Sequence, residues 1–126
     1  MLGSADGVAF LASTDLDRSE VFFRDVLDLP ILSRSPFACL FRCGASTLRV
    51  TRVDELRPQP FTVFGWTVVD LRSSVEQLGE RGVGLLRYDG LDQDADGVWT
   101  TPGGDLVAWF HDSDGNVLSL TELTAT

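Results

Sequence analysis

Three groups of side chains have types and spacings that could support chemistry. Cys39 and Cys43 are the only cysteines, and His111 is the only histidine. Two thiols without a nearby histidine make a poor zinc site, and on one strand they lie roughly 13 Å apart, too far for a disulfide. We therefore expect buried, reduced cysteines. His111 precedes a turn, so it is either a surface residue or, if it points into a binding site, a general base.

The third group is an acidic turn, Asp92-x-Asp94-x-Asp96-Gly97, which matches the start of a calcium-binding EF-hand loop. The twelfth position of that loop is Gly103, where an EF-hand places a bidentate Glu. The apolar segments on either side have the pattern of strands rather than helices. We therefore expect a solvated acidic turn. Spacing predicts neither a Ser-His-Asp or Cys-His arrangement nor a glycine-rich phosphate loop.

The chain contains two copies of the elements that must position these groups. Asp15-Leu16-Asp17-Arg18-Ser19 recurs 55 positions later as Asp70-Leu71-Arg72-Ser73-Ser74. Each copy follows a short apolar run, opens a segment with helical spacing, and is followed by further strand-like runs. The only linker-like stretch, Arg57-Pro58-Gln59-Pro60, lies between the copies. The pattern predicts an α+β domain made of two βαβββ modules that share one core.

The predicted modules span about residues 7–56 and 61–124 of a single domain, residues 1–126. In the first module, a helix capped by Thr14 or Asp15 is accompanied by strands at 8–12, 31–32, 37–41 and 47–53. In the second module, a helix that begins at Asp70 is accompanied by strands at 61–69, 85–88, 98–101, 106–111 and 117–123.

Composition and charge limit the classes of function. The 126 residues are 44% hydrophobic and 23% charged, which is typical of one globular domain. No apolar run reaches the ~20 residues of a membrane span, and the leader lacks the features of a signal peptide, so we expect a cytoplasmic protein. The net charge of −9 argues against nucleic-acid and membrane partners.

Two segments resemble the vicinal oxygen chelate superfamily, which includes glyoxalase I, bleomycin-resistance proteins and extradiol dioxygenases. Residues 15–30 resemble the family's DLDRSxxFYRDVLGLP helix. Residues 108–120 resemble its FxDPDGNxxEL closing hairpin, with Ser113 in place of the usual proline. The resemblance implies that the two modules form an open, curved sheet lining a cleft. It specifies the fold more closely than the activity, because this fold hosts many reactions.

The resemblance also locates four strand positions that supply His and Glu ligands to a divalent metal in the metal-dependent relatives. In this chain they are occupied by Val8, Arg49, Val63 and Ser119. This set lacks the donor atoms that a divalent cation needs, and shifting the alignment by one residue brings no better ones. The resemblance therefore implies no metal site and no cofactor, and it assigns no catalytic residue.

Under this alignment, alternate residues of the strands line the cleft with apolar groups, hydroxyls and one cation. Arg49 either binds an anionic oxygen of a ligand or pairs with one of the many aspartates. The strand tryptophans other than Trp66 are either aromatic walls for a flat or cationic ligand, or residues of the core or a dimer interface. Trp66 is assigned to the core. The expected ligand-binding residues are Phe10, Arg49, Thr67, Trp99, Trp109 and Ser119.

These expectations favour a metal-free protein that binds a small organic molecule in an apolar cleft between the modules. One alternative is an enzyme, either a glyoxalase-type lyase or isomerase, a dioxygenase-like protein, or a metal-free catalyst that uses His111 or Arg49. The other is a structural or regulatory partner domain. Relatives of this length usually pair, so the resemblance also implies a homodimer.

Overall fold

The computed structural model describes residues 1–124 and divides the chain into two compact units. The first is Met1–Pro58, and the second begins at Gln59. Each unit contains one four-stranded mixed sheet and one helical segment, so the fold is α+β, as predicted. Neither helical segment in residues 1–124 is long and apolar enough to cross a membrane.

The first unit has the predicted order of elements. Strand β1 is followed by helix α1, which continues without a break as a π-helical turn, and three strands complete the unit. Their bounds are β1 Val8–Ser13, α1 Leu16–Val21, the π-helical turn Phe22–Val26, β2 Ile31–Arg34, β3 Ala38–Cys43 and β4 Ser46–Arg52. The sheet order is β1-β4-β3-β2; β1 and β4 are parallel, and the other neighbours are antiparallel.

The second unit repeats this plan. Its bounds are β5 Thr62–Thr67, α2 Leu71–Glu80, β6 Trp99–Thr100, β7 Leu106–His111 and β8 Val117–Glu122. The sheet order is β5-β8-β7-β6, with β5 and β8 parallel. Equal strand order in two successive units confirms the duplication that the repeated motif predicts.

The repeated motif is a repeated helix N-cap. The Asp15 carboxylate accepts a hydrogen bond from the backbone N–H of Arg18 at 3.1 Å, and the Asp70 carboxylate accepts one from Ser73 at the same distance. Each bond satisfies a backbone donor that the first turn of a helix leaves without a partner. The first helical segment ends near Asp28, whose φ of +60° is a left-handed conformation that Asp tolerates better than most residues.

The strand predicted at 85–88 is wrong, because that segment is irregular. The side chain of Gln93 supplies hydrogen bonds that a neighbouring strand would otherwise make. Its amide nitrogen donates to the Leu86 carbonyl at 2.9 Å, and its carbonyl oxygen accepts from the Tyr88 backbone N–H at 2.7 Å. The Leu86 backbone N–H donates to the Trp109 carbonyl on the neighbouring part of the sheet at 2.8 Å, so the segment is held by one backbone bond and one side chain without forming a regular ladder.

Each sheet has one face with a continuous set of buried apolar residues, which we call the closed face. The other, the open face, carries mainly half-buried and exposed residues. The largest fully buried side chains include Phe23, Phe41 and Leu48 in the first unit, and Leu71, Phe110 and Leu118 in the second. Burial of each such side chain stabilises the fold by roughly 1.5–3 kcal/mol. The closed faces therefore hold the core, and the open faces are available for other roles.

Candidate functional site

Strand register arranges the open-face residues in rows, because residues directly opposite in a ladder share a face. The central row of the first sheet contains Phe10, Arg49 and Leu40, and it ends at Ser33 on β2. The central row of the second sheet consists of Gly65, Ser119 and Trp109. Phe10 and Gly65 each lie five residues before the capping aspartate of their unit, so the two rows are equivalent positions of the repeat.

The six predicted ligand-binding residues all lie on open faces. Phe10 and Arg49 share the central row of the first sheet. Ser119 and Trp109 share the central row of the second sheet, while Thr67 and Trp99 lie in the next row, at its two ends. Each sheet therefore brings together its own part of the predicted set.

An aromatic cluster formed by Tyr88, Trp99 and Trp109 lies at the second sheet. The rings of Trp99 and Trp109 stack with centroids 6.1 Å apart and an interplanar angle of 29°. The ring of Tyr88 meets Trp109 edge-on at 5.3 Å. The indole N–H of Trp109 donates a hydrogen bond to the hydroxyl of Thr62 at 3.0 Å, which restrains the ring.

All three rings of the cluster are half-buried, so each has part of its surface in contact with solvent. Burial raises the pKa of the Tyr88 hydroxyl, which keeps this group neutral and able to donate a hydrogen bond. Because the rings contact one another, their motion is already restricted. A bound ligand would therefore have less side-chain motion to restrict. The cluster is thus a restrained, largely apolar group of rings with polar atoms at its edge.

Small residues lie beside the aromatic cluster in the central row. Gly65 is opposite Ser119, and a Cβ atom on Gly65 would overlap the Ser119 hydroxyl and lie 3.0 Å from its carbonyl oxygen. Glycine is therefore required by the close approach of the two strands at this point. Ser119 itself is half-buried and places a hydroxyl next to the Trp109 ring position.

Arg49 is half-buried on β4, which is flanked by β1 and β3. Within residues 1–124, no ion pair or hydrogen bond joins its guanidinium to an aspartate or to any other group. Of the two interpretations of Arg49, pairing with an aspartate is therefore not found in the described part of the chain. Its hydrogen-bond donors are available to a bound molecule.

The four positions that hold metal ligands in the metal-dependent relatives do not fit a metal here. Val8 and Val63 have no donor atom, Arg49 is a cation, and Ser119 offers one hydroxyl. A β-bulge between Thr62 and Phe64 also interrupts the register of β5 at this point. Among residues 1–124, no three His, Cys, Asp or Glu side chains are close enough together to hold a metal ion. The donor set is therefore unsuited to a divalent cation.

The acidic turn is organised by hydrogen bonds and by an arginine. The Asp94 carboxylate accepts backbone N–H bonds from Asp96 and Val98, at 2.9 and 3.0 Å. It also pairs with the Arg72 guanidinium at 2.8 Å, and this bond is the main cause that lowers the pKa of Asp94. Arg72 contacts Asp96 as well, at 3.5 Å. The protein's own cation thus neutralises the carboxylates that an EF-hand directs at calcium.

The histidine and cysteines lie apart from one another in the strands. His111 is exposed at the end of β7, opposite Val117 on the open face. Cys39 is buried and Cys43 is half-buried, and neither forms a disulfide. Burial and the adjacent Glu20 raise the pKa of the Cys39 thiol, so the neutral thiol predominates at pH 7.

Sequence reasoning missed three residues of these faces: Thr62, Tyr88 and Arg42. Arg42 could have been found, because the two-residue turn at Gly44 sets the register of the β3–β4 hairpin and places Arg42 opposite Thr47. Tyr88 could not, because it belongs to the irregular segment and reaches the cluster only through tertiary packing.

No protein-family model matches the sequence, and no curated protein sequence matches it. Solved structures do. Lactoylglutathione lyase from Agrobacterium tumefaciens is similar with a TM-score of 0.75 and 20% identity, over 97% of this chain and 96% of that one. A glyoxalase/bleomycin resistance protein/dioxygenase from Alicyclobacillus acidocaldarius is similar with a TM-score of 0.72 and 17% identity, over 97% and 93%.

A third similar structure is the fosfomycin resistance protein FosX from Mesorhizobium loti, with a TM-score of 0.68 and 16% identity, over 98% of this chain and 95% of that one. Identities this low carry the fold and leave the activity open. The predicted resemblance is confirmed at the level of structure. The chain has the fold of the glyoxalase, bleomycin-resistance and dioxygenase proteins.

Proposed function

We propose that this protein binds a small organic molecule on the open face of its second sheet, and that it does so without a metal ion. The observation that carries the proposal is the aromatic cluster of Tyr88, Trp99 and Trp109. Its rings are held by one another and by Thr62, yet they remain partly accessible. A preformed apolar surface with a few fixed polar groups is what small-molecule sites have in common.

Hydroxyl groups on the same face support this function. Ser119 lies in the row of Trp109, and Thr67 and Thr121 lie in the row of Trp99. Hydroxyls both donate and accept hydrogen bonds, so they suit a ligand with mixed polar groups. The four positions that hold metal ligands in the metal-dependent relatives supply no donor set here, which favours binding by contacts with the protein alone.

Nuclear magnetic resonance of the three indole N–H groups tests this proposal. The probes are naphthalene derivatives that are neutral (2-naphthamide), cationic (2-naphthylmethylammonium) and anionic (2-naphthoate). We expect the Trp99 and Trp109 signals to shift on titration. Trp66 is the internal control, because it lies on the closed face, stacked against Phe110 at 6.3 Å.

The matched variants are Trp109→Leu and Trp66→Phe. We expect Trp109→Leu to weaken the affinity for the bound probe at least tenfold, since it removes the central ring of the cluster, and Trp66→Phe to leave the affinity unchanged. The proposal is wrong if no probe shifts Trp99 or Trp109, or if both variants weaken binding equally.

The metal-free part of the proposal is tested separately by elemental analysis. The purified protein is incubated with nickel, zinc, manganese and ferrous salts and then freed of unbound ions. We expect no stoichiometric retention of any of them. One tightly held ion per chain would contradict this part and favour an enzyme.

The second candidate is a lyase or isomerase of the glyoxalase type, favoured by the likeness in fold to lactoylglutathione lyase. Its test is turnover of S-lactoylglutathione, with and without the four metals. Activity that is lost in His111→Gln but kept in a closed-face variant would support this candidate over binding alone.

We also propose that the protein forms a homodimer. Strand β2 is an edge strand of the first sheet, and its Ile31 and Leu32 are exposed apolar residues. Exposed edge strands with apolar side chains favour pairing with a second chain. Sedimentation velocity tests this proposal. The protein concentration should be about 100 micromolar, on the order of the Kd of a weak dimer, and a monomer at that concentration would contradict the proposal.

A further inference from the structure

We propose that Arg42 and Arg49 together bind the oxyanion group of an amphiphilic organic anion on the open face of the first sheet. The apolar part of that ligand would lie on Phe10 and Val8. The inference rests on the proposed function, in which an open face binds an organic molecule, and it assigns to the open face of the first sheet a ligand of stated chemical class.

The register of the β3–β4 hairpin places the two arginines side by side. Arg42 is opposite Thr47, and Arg49 is opposite Leu40. Because Thr47 and Arg49 are two residues apart on β4, Arg42 and Arg49 are diagonal neighbours on one face, with Cα atoms about 7–8 Å apart. Two arginine side chains at this separation are long enough to direct their guanidinium groups at one carboxylate or phosphate group of a ligand.

The two arginines are also distinguished by having no partner. Each of the other eight arginines takes part in a hydrogen bond, an ion pair or another electrostatic interaction. Within residues 1–124, neither the Arg42 nor the Arg49 guanidinium has one. Carboxylates are plentiful, since Asp and Glu number 19 against 10 basic residues. The lack of a partner is therefore local to this face.

Leaving these groups unpaired is unfavourable in two ways. Arg49 is half-buried, so part of its donor set loses water without gaining a protein acceptor. The two like charges also repel each other as diagonal neighbours. A single oxyanion removes both costs, because a carboxylate or phosphate accepts charge-assisted hydrogen bonds from two guanidinium groups at once.

The neighbours of the pair fit an amphiphilic ligand rather than a simple ion. Phe10, in the row of Arg49, is 65% exposed, and Val8, in the row of Arg42, is 53% exposed. The remaining positions of these rows are Leu40, Ser33 and Thr47, so the rows carry no acidic side chain. In a protein of net charge −9, this face is a local region of positive charge next to accessible apolar surface.

Calorimetric titration with three matched probes tests the inference. The probes share one apolar body and differ in the polar group: 2-naphthoate, 2-naphthyl phosphate and neutral 2-naphthamide. We expect each anion to bind at least tenfold more tightly than the amide at low salt, with the difference reduced at high salt. The carboxylate and phosphate arms show which oxyanion the pair prefers.

The variants are Arg42→Gln, Arg49→Gln and Arg52→Gln. Arg52 is the matched control. It is also on β4, but its position is opposite Ser13 on the closed face, and its guanidinium contacts Asp54 at 3.7 Å. All three variants remove one positive charge. We expect Arg42→Gln and Arg49→Gln each to reduce the preference for the anions about tenfold or more, and Arg52→Gln to leave it unchanged.

Every outcome decides the matter. Equal binding of 2-naphthoate and 2-naphthamide, or equal loss in all three variants, overturns the inference while leaving the proposed function intact if the Trp109 signal still shifts. Absence of binding by all three probes overturns both. If Arg49→Gln unfolds the protein, Arg49→Lys replaces it, because lysine keeps the charge but loses the planar guanidinium group. We expect Arg49→Lys to retain part of the preference for the anions. If a folded Arg49→Lys variant loses the whole preference while Arg42→Gln keeps it, the proposal that the two arginines bind the anion together is overturned.

Discussion

The open faces of the two sheets differ far more than the closed faces do. Equivalent rows contain Phe10, Arg49 and Leu40 in the first sheet, and Gly65, Ser119 and Trp109 in the second. The closed faces are apolar in both units, because each must form a core. An open face is free of that requirement. The open faces are therefore where the two copies of the repeat diverge in residue type.

The edges of the two sheets differ as well. The first sheet ends in the four-residue strand β2, whereas β6 has two residues and is accompanied by the irregular segment around Gln93. That segment brings Tyr88 against Trp109. Loss of regular pairing at one edge is thus linked to the gain of the aromatic cluster.

The largest effects should come from the closed faces, and they should be alike. Phe41→Ala and Phe110→Ala each remove a fully buried ring. We expect each to lower the free energy of unfolding by about 3–5 kcal/mol, because a cavity is left in a packed core. Urea unfolding followed by circular dichroism measures both. If one variant lowers the free energy of unfolding by less than about 1 kcal/mol, the ring it removes is not part of a tightly packed core.

The second largest effect on stability should differ between the central rows of the two sheets. In Gly65→Val the new side chain overlaps the hydroxyl of Ser119, so we expect a loss of about 1–3 kcal/mol. Phe10→Ala, at the equivalent position, should change stability by no more than about 0.5 kcal/mol, since that ring is largely exposed. Adding Ser119→Gly to Gly65→Val should restore part of the loss. Equal effects of Gly65→Val and Phe10→Ala would remove the proposed difference.

The helix caps should behave alike in the two units. Asp15→Ala and Asp70→Ala each remove the acceptor for a backbone N–H at 3.1 Å. We expect each to cost about 1 kcal/mol in thermal or urea unfolding. Asp15→Asn and Asp70→Asn are the matched controls, because asparagine caps helices nearly as well, and they should cost a few tenths. A cost in only one unit would mean that the repeated motif has lost its role in the other.

The smallest effect concerns the acidic turn, which only the second unit has in this form. Pairing with Arg72 lowers the pKa of Asp94 below its unfolded value, so its stabilisation is present above the unfolded pKa and is lost as pH falls through the folded pKa. Both side chains are well exposed, so we expect Arg72→Met to cost only about 0.2–1 kcal/mol near pH 6.

At a pH below the folded pKa of Asp94 this difference between wild type and Arg72→Met should vanish. Carboxyl titration by NMR should show the Asp94 pKa rising toward its ordinary value in the variant, though two backbone hydrogen bonds continue to lower it. An unchanged Asp94 pKa in Arg72→Met would show that the arginine is not the main cause.

Most of the fold was accessible from local pattern. The capping aspartates, the apolar alternation and the turn glycines place ten of the strand and helix segments within a few residues of their observed bounds. The exception at 85–88 has the composition of a strand, but two of its backbone groups bond to the side chain of Gln93 and only Leu86 bonds to the backbone of Trp109. A side chain that replaces a ladder leaves no periodic signal, so the error was unavoidable from pattern alone.

The candidate site was accessible only in part. Alternation predicted which residues of β1, β4, β5 and β8 share a face, and the structure places Phe10, Arg49, Thr67 and Ser119 accordingly. The face of β7 and the contact of Trp109 with Tyr88 depend on how separate segments pack, and they had no signature in the sequence.

By itself, the sequence determined the duplicated α+β plan and the two helix starts, because each of these follows from residue type and spacing along the chain. Only the tertiary structure decided which arginines of residues 1–124 lack partners and which rings stack. Those properties depend on distances between segments far apart in sequence, and such distances are set when the sheets pack and register is established.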